Sequence, residues 1–129
     1  MIYLDTSALL CLALRNDRGL TLGEWLRPRI NDVLLTSVIS EVTLTRLVRW
    51  EHPEHLAEVA LTLAKISTYE VDDLVRKVAS VIDADLAAAL HVATATIVLG
   101  EQCQAFITYD EATSKAATKH HLPVLAPAP

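Results

Sequence analysis

Apolar residues along this chain fall in short runs divided by polar turns, and two kinds of run alternate. Residues 2–4, 33–36, 105–108 and 123–125 are compact apolar or β-branched runs of strand length, and 69–71 is a weaker one. Between them the apolar positions open out towards the helical period. Val38, Val42, Leu44, Leu47 and Val48 follow Ser37, a candidate cap, and the pattern stops before Pro53. Leu56, Val59, Ala60, Leu63 and Ala64 share one face of a helix expected over 55–66. The run 8–14 reads as a first helix, ending in the polar stretch 15–18 at Gly19, with a short helix over 21–26 before Arg27-Pro28. Asp72 or Asp73 caps a helix running to about 82. Asp83-Ala84-Asp85 opens a long alanine-rich helix to about 99, closed by Gly100, and a last helix runs through Ala117. Strands alternating with helices predict an α/β fold, a parallel sheet of about four to five short strands with helices on both faces.

A chain of 129 residues is one ordinary domain, spanning 1–129, with enough residues for a real core. With 52% hydrophobic residues and only one Phe, that core must be aliphatic. The net charge of −5 argues against nucleic-acid binding by bulk attraction, so any such role needs a local cause. Cys11 and Cys103 are not spaced as a metal or redox pair, which fits a reduced cytoplasmic protein. No stretch is long enough to span a membrane, and no positive charge precedes the apolar run 8–14 as in a signal sequence.

Two strands end alike. Ile2-Tyr3-Leu4 runs into Asp5, and Phe106-Ile107-Thr108 runs through Tyr109 into Asp110. In a parallel sheet both carboxylates arrive at one edge, where sites of such folds lie. Glu41, in the first turn of the helix after the second strand, arrives there too. Each acid alone is explained as a helix cap or a dipole partner. Together they repel one another unless a cation joins them, and hard oxygen ligands select Mg²⁺ or Mn²⁺. A second chemistry uses Asp5 as a phosphoryl-transfer nucleophile; haloacid-dehalogenase-like enzymes of that kind carry another Asp two residues on, where this chain has Ser7.

Asp5-Thr6-Ser7-Ala8, Ser40-Glu41-Val42, Leu90-His91-Val92-Ala93-Thr94-Ala95, Thr108-Tyr109-Asp110 and the ending Leu122-Pro123-Val124-Leu125-Ala126-Pro127 resemble, in order and over nearly the whole chain, the PIN-domain ribonucleases. Within them the chain resembles the VapC toxins of bacterial toxin–antitoxin pairs. The resemblance implies a homodimeric, Mg²⁺- or Mn²⁺-dependent RNA endonuclease neutralised by a VapB-type antitoxin. It implies Asp5, Glu41 and Asp110 as catalytic metal ligands, and Thr6 as a substrate-site hydroxyl that orients a carboxylate or water. It also implies a fourth acid just before Ala-Leu-His. Here the residue is Ala88, so reduced activity is expected, and a non-cleaving module that binds RNA and antitoxin is the alternative. Two explanations compete: Asp85, about 60° around the helix and one turn earlier, partly substitutes (Asp83 points away), or an inactivating alanine stands where the natural residue is an aspartate, which the poor geometry of a ligand displaced by a turn favours.

The remaining candidates have plainer readings. His91 is expected to be a satisfied structural histidine, and His120-His121 a surface loop. Trp25 and Trp50 are expected as core or interface anchors. The surplus apolar residues of the first helix and of the helix after Ser37 suit a dimer contact or an antitoxin groove. Arg15, Arg18, Arg46, Arg49, Lys115 and Lys119 lie in segments able to flank the acidic edge, where RNA phosphates need cations.

Overall fold

A computed structural model of the chain describes residues 1–129. Its centre is a parallel five-stranded sheet of β1 (Ile2–Leu4), β2 (Leu34–Ser37), β3 (Ser67–Tyr69), β4 (Ala105–Ile107) and β5 (Val124–Leu125), in the order β3-β2-β1-β4-β5. β1 is therefore the middle strand, with Ile2 beside Leu34 on one flank and beside Ala105 on the other. The connections are α1 (Thr6–Leu14), α2 (Asp17–Leu26), α3 (Ile39–Glu51), α4 (Leu56–Leu63), α5 (Asp73–Ala79), α6 (Leu86–Val98) and α7 (Glu111–Lys119).

Strand side chains alternate between faces, and so the sheet divides two cores. Tyr3, Leu35 and Phe106 point to the face covered by Val75 of α5, Val92 of α6 and Ala116 of α7. Ile2, Leu4 and Ile107 point to the other, against Leu9 of α1, Leu22 of α2 and Leu44 of α3. Tyr3 stacks on Phe106 with ring centroids 5.0 Å apart. α6 is buried almost all round, from Ala88 to Ala95, which is why its sequence shows no polar stripe.

Several boundaries differ from the sequence expectation. α1 ends at Leu14, capped by Arg15 in the left-handed region (φ 54°), and not at Gly19. Gly19 lies inside α2 and serves packing: a Cβ there would sit 1.9 Å from the Cys11 carbonyl oxygen, so only glycine lets α2 cross the end of α1. The helix expected over 55–66 begins with a separate 3₁₀ turn at Pro53–His55, because proline fixes the first turn. β3 starts two residues before the expected 69–71. Ser37 is the last residue of β2 and Val38 the N-cap of α3, and the Ser37 hydroxyl accepts from the Ile39 amide, the first of the helix, at 3.3 Å. Trp25 packs against the α1–α2 side of the core, while Trp50 is 75% exposed and anchors no core. No helix is long and apolar enough to cross a membrane.

Candidate functional site at the carboxyl edge of the sheet

Asp5 follows β1 and caps α1, and Asp110 follows β4 after Thr108 and Tyr109 and caps α7. The register Leu4 beside Ile107 brings these two strand ends level. Asp5 is 2% exposed, yet its carboxylate is well supplied with donors. Oδ1 accepts from the Ser7 hydroxyl (2.6 Å) and the Ala8 amide (2.9 Å). Oδ2 accepts from the Thr108 hydroxyl at 2.5 Å. Thr108 in turn accepts from the Asp110 amide (3.0 Å), and Ser7 accepts from the Tyr109 amide (2.8 Å). Two hydroxyls thus tie the two strand ends together through Asp5. Burial pushes the Asp5 carboxyl above its ordinary range; the hydrogen bonds oppose this, and the nearby Asp110 charge adds to it.

A cleft of about 250 Å³ opens on this edge, lined by Asp5, Thr6, Ser7, Asp85, Ala87, His91, Asp110 and Thr113. Its three carboxylates come from three separate elements, and no lysine or arginine lines it. Asp85 caps α6 with one oxygen, Oδ1, accepting from the Ala88 amide at 2.9 Å. Asp110 likewise uses one oxygen, Oδ2, for the Thr113 amide (2.9 Å) and hydroxyl (2.7 Å). Each therefore keeps a whole oxygen free, and Asp5 Oδ2 keeps a lone pair. This donor set of unused carboxylate oxygens fits a hard divalent cation, and a cation would relieve the Asp5–Asp110 repulsion. As the side chains stand, no three of the His, Cys, Asp or Glu groups form a ready metal cage.

The sequence-expected residues divide accordingly. Asp5, Thr6 and Asp110 meet in the cleft. Glu41 does not line it: α3 turns Ser40 and Thr43 inward, to within 3.1 and 3.2 Å of the Thr6 hydroxyl, and leaves the intervening Glu41 exposed. Ala88, where the resemblance expects an acid, is fully buried, and the acid that α6 presents to the cleft is Asp85. The reason is where the helix starts. Leu86 is its first residue, so Asp85 sits at the open cap while Ala88 is already in the first turn.

His91 is buried with both ring nitrogens satisfied, as the sequence led one to expect. Its Nε2 lies 3.0 Å from the Thr6 hydroxyl and its Nδ1 2.7 Å from the Tyr3 hydroxyl. Burial lowers its pKa to about 4, although Asp110 and Asp85 both pull it upward, so the ring is neutral near pH 7. Thr43 spends its hydrogen on the Ile39 carbonyl (2.8 Å), so it can only accept from Thr6. Tyr3 donating to Nδ1, Nε2–H donating to Thr6 and Thr6 donating to Thr43 satisfies every member of this row. Ser7, Thr108 and Thr113 had no distinguishing signal in the sequence beyond lying two or three residues from Asp5 and Asp110.

No family model matches the chain. It is 35% identical over 131 aligned positions to Ribonuclease VapC35 of Mycobacterium tuberculosis, in the CDC 1551 / Oshkosh strain and equally in H37Rv. That alignment covers 98% of this chain and 97% of the relative. Among solved structures the fold is similar to VapBC2 from Rickettsia felis bound to a DNA fragment from their promoter. There the TM-score is 0.70 at 14% identity, with 97% of this chain and 98% of the other covered. It is also similar to FitAcB from Neisseria gonorrhoeae, with a TM-score of 0.65 at 20% identity over 98% of both chains. The near-full-length identity to the mycobacterial ribonuclease, on a sheet whose carboxyl edge carries a cleft with three carboxylates, shows that this chain belongs to the VapC family of PIN-domain ribonucleases.

Proposed function

We propose that the chain is a Mg²⁺- or Mn²⁺-dependent endoribonuclease and the toxin of a toxin–antitoxin pair. The observation that carries this reading is the cleft itself, where Asp5, Asp85 and Asp110 face one another without a lysine or arginine between them. When bound, a divalent cation supplies Lewis-acid stabilisation of the charge building on a phosphodiester. Asp5 and Asp110 would hold it with their unused oxygens, with Glu41 of α3 as the further ligand the resemblance implies. The hydrogen bonds from Ser7, Ala8 and Thr108 fix the Asp5 carboxylate before any ligand arrives, so little ordering remains to be done. His91, Ser40 and Thr43 hold the Thr6 hydroxyl at the cleft, where it can orient a water or a phosphate oxygen. Hydrolysis forms a bond from a water oxygen to phosphorus and breaks the bond to the 3′ oxygen, leaving 5′-phosphate and 3′-hydroxyl ends.

α6 sets the level of activity. Its only cleft acid, Asp85, is committed through one oxygen to capping the helix and is offset by a turn from position 88. We infer slower cleavage than in a chain with aspartate at 88. Of the two helices expected to offer apolar surface, α1 spends its apolar residues on the core, whereas α3 exposes Val42 and Trp50, which suit a homodimer contact or a VapB-type antitoxin. The decisive experiment incubates the chain, purified free of partner, with bacterial RNA in EDTA or in Mn²⁺. Cleavage that requires Mn²⁺ and disappears in Asp110→Asn supports the reading. Cleavage unaffected by EDTA overturns the metal dependence, and no cleavage even by Ala88→Asp favours the non-cleaving RNA- and antitoxin-binding module.

A further inference from the structure

A second and larger hollow, of about 630 Å³, is lined by residues next in sequence to those of the acidic cleft. It lies between the turn at Asp83-Ala84 and the outer face of α7, and it includes Lys115 and Lys119. The two hollows adjoin along the chain twice, at Ala84–Asp85 and at Asp110–Glu111. We propose that this groove is the track for single-stranded RNA, with Lys115 and Lys119 each contacting a backbone phosphate next to the one held at the carboxylates.

Four observations select it. A negatively charged chain with an acidic cleft repels a polyanion, so productive binding needs cations beside the cleft. Arg15, Arg18, Arg46 and Arg49 line neither hollow. Arg18 is instead stacked on the Tyr109 ring, 5.3 Å from its centre, and Arg15 forms the left-handed end of α1. Neither lysine forms an ion pair: the chain's ion pairs are His55–Glu54 and Arg76–Asp73. Finally, the lysines are four residues apart on one face of α7, about 6 Å along the helix axis, comparable with the step between successive phosphates of an extended strand. Asp83 and Glu111 share the groove and oppose the lysines.

The proposal rests on the ribonuclease reading, but its test does not need cleavage. Affinity for a short fluorescein-labelled oligouridylate is measured by anisotropy in EDTA across a series of KCl concentrations. The proteins are the chain as given, Lys115→Gln, Lys119→Gln, both together, Glu111→Gln and Lys65→Gln. Glutamine keeps the helix propensity of lysine, and circular dichroism verifies folding. Each phosphate contact contributes about 0.7 to the slope of log Kd against log salt for a single strand, so the double variant should lose about 1.4. Glu111→Gln should tighten binding, and Lys65→Gln, distant on the chain, should change nothing. If the double variant keeps the full slope, or Lys65→Gln lowers it as much, the track is overturned. A lowered slope in a protein that never cleaves RNA keeps the groove and removes the ribonuclease reading; cleavage with an unchanged slope does the reverse.

Discussion

Acidification should unfold this protein partly through one buried ring. His91 is neutral in the fold with a pKa of about 4, whereas an unfolded histidine titrates near 6.5. Its folded pKa is therefore depressed, and below about 6.5 the unfolded chain takes up the proton first. The contribution is fully present above the unfolded pKa and is lost as pH falls through about 4. The gap between the two values corresponds to about 3 kcal/mol, a large share of the stability of a single domain. Asp5 works in the opposite sense. Its folded pKa is raised, so the fold holds its proton longer than the unfolded chain does and gains from acidification. A comparison between variants removes this background. His91→Gln keeps a donor and an acceptor for Thr6 and Tyr3 but cannot titrate. Urea unfolding followed by circular dichroism at stepped pH between 7 and 4 gives both stability curves. The stability advantage of histidine over glutamine should shrink by about 3 kcal/mol across that range. His52, His55, His120 and His121 are present in both proteins and cancel. Parallel curves would refute the assignment of a neutral, proton-excluding His91.

Three further outcomes are expected. Ala88→Asp should raise Mn²⁺-dependent RNA cleavage at least about tenfold, a gain of about 1.4 kcal/mol in transition-state stabilisation, and Asp85→Ala in the chain as given should remove the residual rate; both are read from RNA time courses. Asp110→Ala, which removes the free oxygen and the capping oxygen together, should lower cleavage by about 10²-fold or more while a urea melt shows about 1 kcal/mol lost with the α7 cap. Gly19→Ala should destabilise by about 1–3 kcal/mol or more through its clash with the Cys11 carbonyl, whereas Gly23→Ala, whose Cβ meets only open space, should be neutral or stabilising in thermal melts.

The parts of this molecule that could be read from the sequence are those governed by local pattern. Asp5 and Asp110 stood out because each ends an apolar run, and a parallel sheet has one carboxyl edge. Residues whose role depends on a helix's rotation did not. Glu41 and Ser40 are neighbours in sequence, but about 100° of helical turn sends Ser40 to Thr6 and Glu41 to solvent. Asp85 and Ala88 turned on where α6 begins, and a stretch with acids at 83 and 85 leaves that start open by a turn. His91 could be assigned to the core but not to its partners, because Tyr3 and Thr6 lie 88 and 85 residues away. Gly19 read as a stop signal because its real constraint, another helix's carbonyl, is a tertiary one.

The sheet order has a consequence for the order of synthesis. β1 emerges from the ribosome first, yet it is the central strand, and its partner β4 begins only at Ala105. A nascent chain therefore displays Asp5 long before Thr108 and Asp110 exist to complete its surroundings. Until then β1 has an open edge and one core face is uncovered, conditions that favour chaperone capture over folding. Loop closure over about a hundred residues makes this assembly late and slow. Translation thus delays the carboxyl edge until β4 and α7 have been made, and a chain truncated before β4 carries Asp5 without forming the cleft.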